Sequence, residues 1–233
     1  MENILDGYKP DSIFEHIPRE WFLKQTLEEN YIDSGTCYEY YYAIGDYYKP
    51  KSILEIGILF GYSAAALILG ATRASKDNLE LFESYDMDYY ERRNFKHDSI
   101  GDTQYYSGEV EFEDWSSNRI AYHKLDELID EKIGPDHNLQ FNIITKNSQR
   151  LRYLPKYYDM IHIDGGHLAH EKLHDLKLTL GRCGVVIVDD YDFIDAVKEV
   201  TDKFVDDHSN YILNTNHVKS FRGTLIIEYK NGY

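Results

Sequence analysis

Two acidic motifs stand out by residue type: Ile163-Asp164-Gly165-Gly166-His167 and Val188-Asp189-Asp190-Tyr191. Each follows a short apolar run that reads as a strand. If those strands were neighbours in a parallel sheet, the carboxylates of Asp164, Asp189 and Asp190 would gather at one edge. Carboxylates at close range repel one another unless positive charge sits among them. Mg²⁺ or another divalent cation meets that need, because it is hard, prefers carboxylate oxygen and keeps open water positions. Plainer uses exist: Asp164 could cap the following helix, and Asp189-Asp190 could form a turn.

A third segment, Glu55-Ile56-Gly57-Ile58-Leu59-Phe60-Gly61-Tyr62-Ser63, reads as strand, turn and helix. Gly57 and Gly61 would let backbone approach a ligand closely, or simply make a tight turn. The dinucleotide fingerprint needs three glycines, G-x-G-x-x-G. Position 59 is Leu, which weakens a nicotinamide or flavin reading. An acid just before the first glycine suits a ligand with a positive amino-acid end.

The elements that must position these motifs follow from periodicity. Residues 11–48 look helical. Strands are expected at 52–57, 79–85 (ending in Asp86), 139–144, 158–163 and 184–188. Helices are expected at 63–71, 125–133, 168–180 and about 194–206. Two last β-like runs, 211–218 and 224–229, have no helix between them, so they form a hairpin with an antiparallel strand at the sheet's end. The alternation predicts an α/β fold with a doubly wound, mostly parallel seven-stranded sheet. It divides into an N-terminal helical cap segment, 1–48, and a main domain, 49–233, with a polar, Tyr-rich insertion at about 87–138. In open α/β sheets ligands sit at the carboxyl ends of the strands. That rule selects Glu55–Gly61, Asp86, Asn147, Asp164–His167 and Asp189–Asp190.

Bulk properties narrow the function. The net charge of −16 repels phosphate backbones and anionic lipid, so nucleic acid and membrane surfaces are discounted as partners. The first ten residues are polar and lack the apolar core of a secretory signal, and no apolar run spans a bilayer. Two distant cysteines, Cys37 and Cys183, read as reduced thiols. The expected location is cytoplasmic. Many of the 22 tyrosines fall in pairs, read as packing residues or as an aromatic substrate cleft.

The Glu55–Ser63 segment resembles motif I of class I S-adenosylmethionine methyltransferases, in the form found in small-molecule O-methyltransferases, and so implies a Rossmann-like methyltransferase fold. The resemblance places Glu55, Gly57, Gly61, Tyr62 and Ser63 around the methionine end of the cofactor. It puts Asp86 on the ribose hydroxyls, with Glu83 and Asp88 as rivals, and Asn147-Ser148 on the adenine side. The two acidic motifs resemble those of metal-dependent O-methyltransferases of the macrocin type, which methylate sugar hydroxyls on natural products and have relatives acting on phenolic scaffolds. From about residue 50 onward the chain follows that pattern. The implied metal ligands are Asp164, Asp189 and Asp190, the implied general base is His167, and Asp164 also counts among the catalytic and cofactor residues. His162 and His170 are read as structural and His174 as a helix-surface residue. The stretch after Asp86 and the Tyr-rich N-terminal helices depart from the family. The implied partner is a small-molecule hydroxyl acceptor, a sugar or phenol of a natural product, nucleotide-sugar or glycan, and homo-oligomerisation stays open. A Rossmann-like NAD-dependent oxidoreductase and a non-catalytic methyltransferase-like scaffold are the alternatives.

Overall fold

The computed structural model describes residues 36–59, 61–87, 117–219 and 222–230. Most of the N-terminal segment, the centre of the insertion and Asp88 lie outside the described residues. The elements are α1 (Thr36–Tyr48), β1 (Ser52–Ile56), α2 (Tyr62–Thr72), β2 (Leu81–Asp86), α3 (Ser117–Lys132) and β3 (Gln140–Thr145). A 3₁₀ turn (Ser148–Arg150), β4 (Tyr158–Ile163), α4 (Ala169–Thr179), β5 (Cys183–Val188), α5 (Asp195–Asp207), β6 (Ile212–Val218) and β7 (Thr224–Tyr229) complete the chain.

The strands form one seven-stranded sheet in the order β3-β2-β1-β4-β5-β7-β6. β1 to β5 run parallel, and β7 runs antiparallel to both β5 and β6. The hairpin therefore closes the sheet as expected, with the reversed strand second from the edge. The strand order turns between β1 and β4, the switch point where open α/β sheets bind ligands.

Alternation along the strands sends Ile53, Phe82 and Met160 to a core under α1, α2 and α3. It sends Leu54, Ile56, Ile161 and Ile163 to a core under α4 and α5. Helix α2 is apolar all round and every residue in it is buried, as such a helix must be. Helix α1 lies directly against it. A Cβ on Gly45 would sit 2.6 Å from the Leu67 carbonyl oxygen, and one on Gly70 would sit 2.1 Å from that of Tyr42. Tyr41 and Tyr42 are both fully buried, which supports the packing reading for that pair.

Helix α3 begins two turns before the expected start at Leu125. Ala121, Leu125, Leu128 and Ile129 form its buried stripe, and the polar residues between them hide its first turns from periodicity. Gly134, at φ 96°, ends the helix with its N–H on the Ile129 carbonyl. No helix among the described residues is long and apolar enough to cross a membrane.

Candidate active site

Backbone hydrogen bonds continue beyond the strands and line up their carboxyl ends. Gly57 N–H donates to the Tyr85 carbonyl, Asp164 N–H to Ile56 and Asp189 N–H to Ile163. Asp86, Gly57, Asp164 and Asp189 thus stand side by side along one edge of the sheet.

At the β1 turn, Gly57, Leu59 and Gly61 all have positive φ, at 89°, 46° and 83°. A Cβ on Gly57 would lie 2.5 Å from the Asp164 carbonyl oxygen, and one on Gly61 would lie 2.9 Å from Leu125 Cδ1. The room these glycines provide is filled by the chain itself, so they seat the turn against β4 and α3. Glu55 is fully buried beneath the turn. Its Oε1 accepts from Ser63 Oγ at 2.6 Å and lies 2.8 Å from His162 Nδ1. Glu55 therefore does not face a ligand's amino group, as its position before Gly57 suggested. Strand alternation turns it toward α1 and α2, with Ser63. Tyr62 is also buried, edge-on to Tyr38 at 5.8 Å. Asp86 reaches across from β2: its Oδ2 accepts from the amides of Ile58, at 2.9 Å, and Leu59, at 3.3 Å. Its rival Glu83 is buried against Tyr158 and Lys156, away from this edge.

After β3, Asn147 Oδ1 caps the 3₁₀ turn through Gln149 N–H at 2.9 Å. Ser148 is buried. Gln149 Nε2 donates to Asp175 Oδ1 at 2.9 Å, and His174 Nε2 lies 3.0 Å from the Ser148 carbonyl oxygen. His174 is thus half-buried and holds the turn, a correction to its reading as a surface residue. A cleft opens here between Gly57, Asp86, Lys146, Asn147, Ser148 and Gly165.

At the other end, ligand atoms of Asp164, His167 and Asp190 all lie within 4.8 Å of one another. Asp190 has φ 59°, a left-handed backbone that aims its buried carboxylate inward. Its Oδ2 lies 2.9 Å from Nε2 of the exposed His167 and its Oδ1 lies 3.1 Å from Arg222 Nη1. Asp189, expected in the same cluster, points elsewhere: its Oδ1 accepts from Tyr41 OH at 2.5 Å, and its Oδ2 is 3.8 Å from Arg222. Desolvation, then the charges of Asp189 and Asp190, push the Asp164 carboxyl well above the usual carboxylate range, against opposing pulls from Lys172 and Arg222. Burial also raises Asp190, but the His167 hydrogen bond and the Arg222 charge outweigh it and leave the group below its ordinary value.

Residues 54–191, more than half of the chain, match a family described as a methyltransferase domain. The chain belongs to this family. The nicotinamide oxidoreductase alternative gives way with that assignment. Among solved structures, the methyltransferase domain is similar to PaMTH1 of Podospora anserina, solved with SAH (TM-score 0.57, 16% identity, 96% of this chain and 89% of that one). It is also similar to an O-methyltransferase from Bacillus cereus in complex with SAH (0.53, 15%, 97% and 95%). A third is TomG from Streptomyces achromogenes, an O-methyltransferase involved in tomaymycin synthesis, in complex with SAM (0.52, 15%, 96% and 92%). At these identities the likeness is one of fold. No curated protein matches the chain.

Sequence reasoning missed Arg222 and Lys172 in this domain, and Tyr41 in the helix that precedes it. Lys172 is fully buried, with its Nζ donating to the Ile163 carbonyl at 3.2 Å, one turn into a helix where a surface lysine is expected. Arg222 precedes β7. Only the antiparallel pairing of β7 with β5, Val188 opposite Leu225, brings it beside Asp190. Within the sequence, its one signal was Arg-Gly at the hairpin turn.

Proposed function

We propose that this methyltransferase domain transfers a methyl group from S-adenosylmethionine to a hydroxyl of a small molecule, a sugar or phenol, with a divalent cation at the β4–β5 end. The carrying observation is the juxtaposition at the switch point: the Gly57 turn and Asp86 on one side, and the Asp164–His167–Asp190 cluster on the other. The solved O-methyltransferases of similar fold that hold SAH or SAM support the cofactor part of this reading.

The residues fit the cofactor. Asp86 uses one oxygen on the turn amides, and a carboxylate has about four lone-pair sites, enough to accept from ribose hydroxyls as well. The Asn147–Ser148 turn forms the far wall of the cleft. Glu55 and Ser63 shape the turn from beneath and do not touch the ligand. The carboxylates also fit a divalent cation, which Asp164 and Asp190 would hold, with Asp189 behind them and His167 beside them as the base. When bound, such a cation supplies Lewis acidity that lowers the pKa of an acceptor hydroxyl.

The chain's own residues supply the proton transfer. His167 Nε2 faces Asp190 Oδ2, so that nitrogen carries the hydrogen and Nδ1 is the basic one. As the acceptor oxygen bonds to the methyl carbon and the sulfur–carbon bond breaks, Nδ1 takes the hydroxyl proton. Asp190 orients the ring for that transfer, and S-adenosylhomocysteine leaves.

Calorimetry with S-adenosylhomocysteine, followed by methyl transfer to a panel of catechols and sugars with and without a chelator, tests this reading. Cofactor binding and chelator-sensitive transfer are expected. Absence of cofactor binding would refute the proposal, and binding with no transfer to any hydroxyl would return the scaffold reading.

A further inference from the structure

Each buried oxygen of Asp190 lies beside a basic side chain, Oδ2 at 2.9 Å from His167 Nε2 and Oδ1 at 3.1 Å from Arg222 Nη1. The Arg222 position is built into the fold. Tyr191 N–H donates to the Gly223 carbonyl at 3.0 Å and Asp192 N–H to the Arg222 carbonyl at 2.9 Å. Gly223 stands at φ 70°, where a Cβ would lie 2.3 Å from Asp192 Oδ2, so the hairpin turn admits no larger residue without moving. The guanidinium bridges toward both acids of the pair, 3.1 Å from Asp190 and 3.8 Å from Asp189, and lies over the exposed Phe193 ring at 5.3 Å.

A dication bound to Asp190 and a guanidinium on the same carboxylate would be like charges a few ångströms apart. They would also compete for the same lone pairs. Resting on the divalent-cation part of the proposed function, we propose that Arg222 is a resident countercharge which a divalent cation must displace from Asp190, so that Arg222 sets the cation affinity of the site. The displaced side chain has somewhere to go: its head is partly exposed at the rim, and the Phe193 face can hold it there. Without a cation, Arg222 keeps the acidic pair compensated. With one, the same charge is supplied twice and Arg222 turns outward.

The test uses the full chain and Mn²⁺ as the probe. Mn²⁺ is titrated by calorimetry into wild type, Arg222→Met and Arg222→Gln, with S-adenosylhomocysteine binding and melting temperature measured on the same preparations. Both neutral variants should bind Mn²⁺ about tenfold more tightly than wild type. Their melting temperatures should fall without metal and rise more than the wild type's when Mn²⁺ is added. If either folded variant binds Mn²⁺ no more tightly than wild type, the Arg222 proposal is overturned alone. If no protein binds Mn²⁺ while all bind S-adenosylhomocysteine, the Arg222 proposal and the cation part of the proposed function both fall, and the cofactor part stands.

Discussion

The β1 end of the site and the β4–β5 end are made of similar residues used in opposite ways. At β1, Asp86 accepts two turn amides, Glu55 takes Ser63 and His162, and the glycine spaces are filled by Asp164 and Leu125. The acids there hold the shape of the turn. At β4–β5, Asp164 and Asp190 gather with His167, Asp189 adds its charge from behind, and Lys172 and Arg222 oppose them. Both ends carry a non-glycine residue at positive φ, Leu59 at 46° and Asp190 at 59°, so the difference lies in the charges, and perturbed carboxylates gather where ligands and reactions use them. On the proposed function, rigidity belongs to the cofactor end and reactivity to the acidic end.

The strongest way to break this division is to remove the shape of the β1 turn. Gly57→Ala would put a methyl group 2.5 Å from the Asp164 carbonyl oxygen at φ 89°. It should cost about 3 kcal/mol or more in urea unfolding. S-adenosylhomocysteine binding should be lost with it. A variant with normal stability and binding would mean that the turn is not the rigid part.

His167→Ala sharpens the other side. The side chain is about half exposed, at 49%, and it faces Asp190. Methyl transfer should fall about 10²- to 10⁴-fold, the usual share of a general base. Melting temperature and cofactor affinity should barely change. A large loss of stability would make His167 a structural residue instead.

How much of this division could be read in the sequence depended on what each feature required. The strand ends were legible because doubly buried strands are continuous apolar runs, and Ile163-Asp164 and Val188-Asp189 end such runs abruptly. The side each acid faces was not legible. Glu55 sits opposite His162 in the β1–β4 register, and both turn toward α1 and α2. Period-2 alternation says that Glu55 opposes Leu54 and Ile56 but not which face holds α1. Arg222 needed the β5–β7 pairing, a contact that no local pattern encodes. The direction in which Asp189 points was hidden for a related reason, since its partner Tyr41 comes from a helix far away in the chain.

Asp175 tests whether the cofactor end is as quiet as its geometry suggests. Burial pushes its carboxyl up to about 6 from 3.8, while hydrogen bonding from Ser148 and the Lys172 charge hold it back. An acid with a raised folded-state pKa favours folding while protonated. Its contribution is complete below pH 3.8 and is lost as pH rises through about 6. Above that, the ionised Asp175 costs about 3 kcal/mol relative to the unfolded chain. Asp175→Asn should therefore be more stable than wild type at pH 8 and equal to it near pH 3.5, by urea titration at both. An equal difference at the two pH values would show that Asp175 carries no such penalty.

The smallest effect is the one that joins both halves of the comparison. Asp164 belongs to the β1 turn through its backbone, which packs on Gly57, and to the acidic cluster through its side chain. Asp164→Asn leaves the backbone contact in place and removes only the charge that Asp189 and Asp190 repel. Burial and the neighbouring acids disfavour the ionised carboxyl, so the neutral amide should leave stability equal to the wild type's or slightly higher. Methyl transfer and Mn²⁺ binding should fall in the same variant, while S-adenosylhomocysteine binding, which depends on the intact turn, should hold. A variant that gains stability and loses chemistry would show that the repulsion is kept for function. If it lost stability instead, the acidic end would be as structural as the turn beside it.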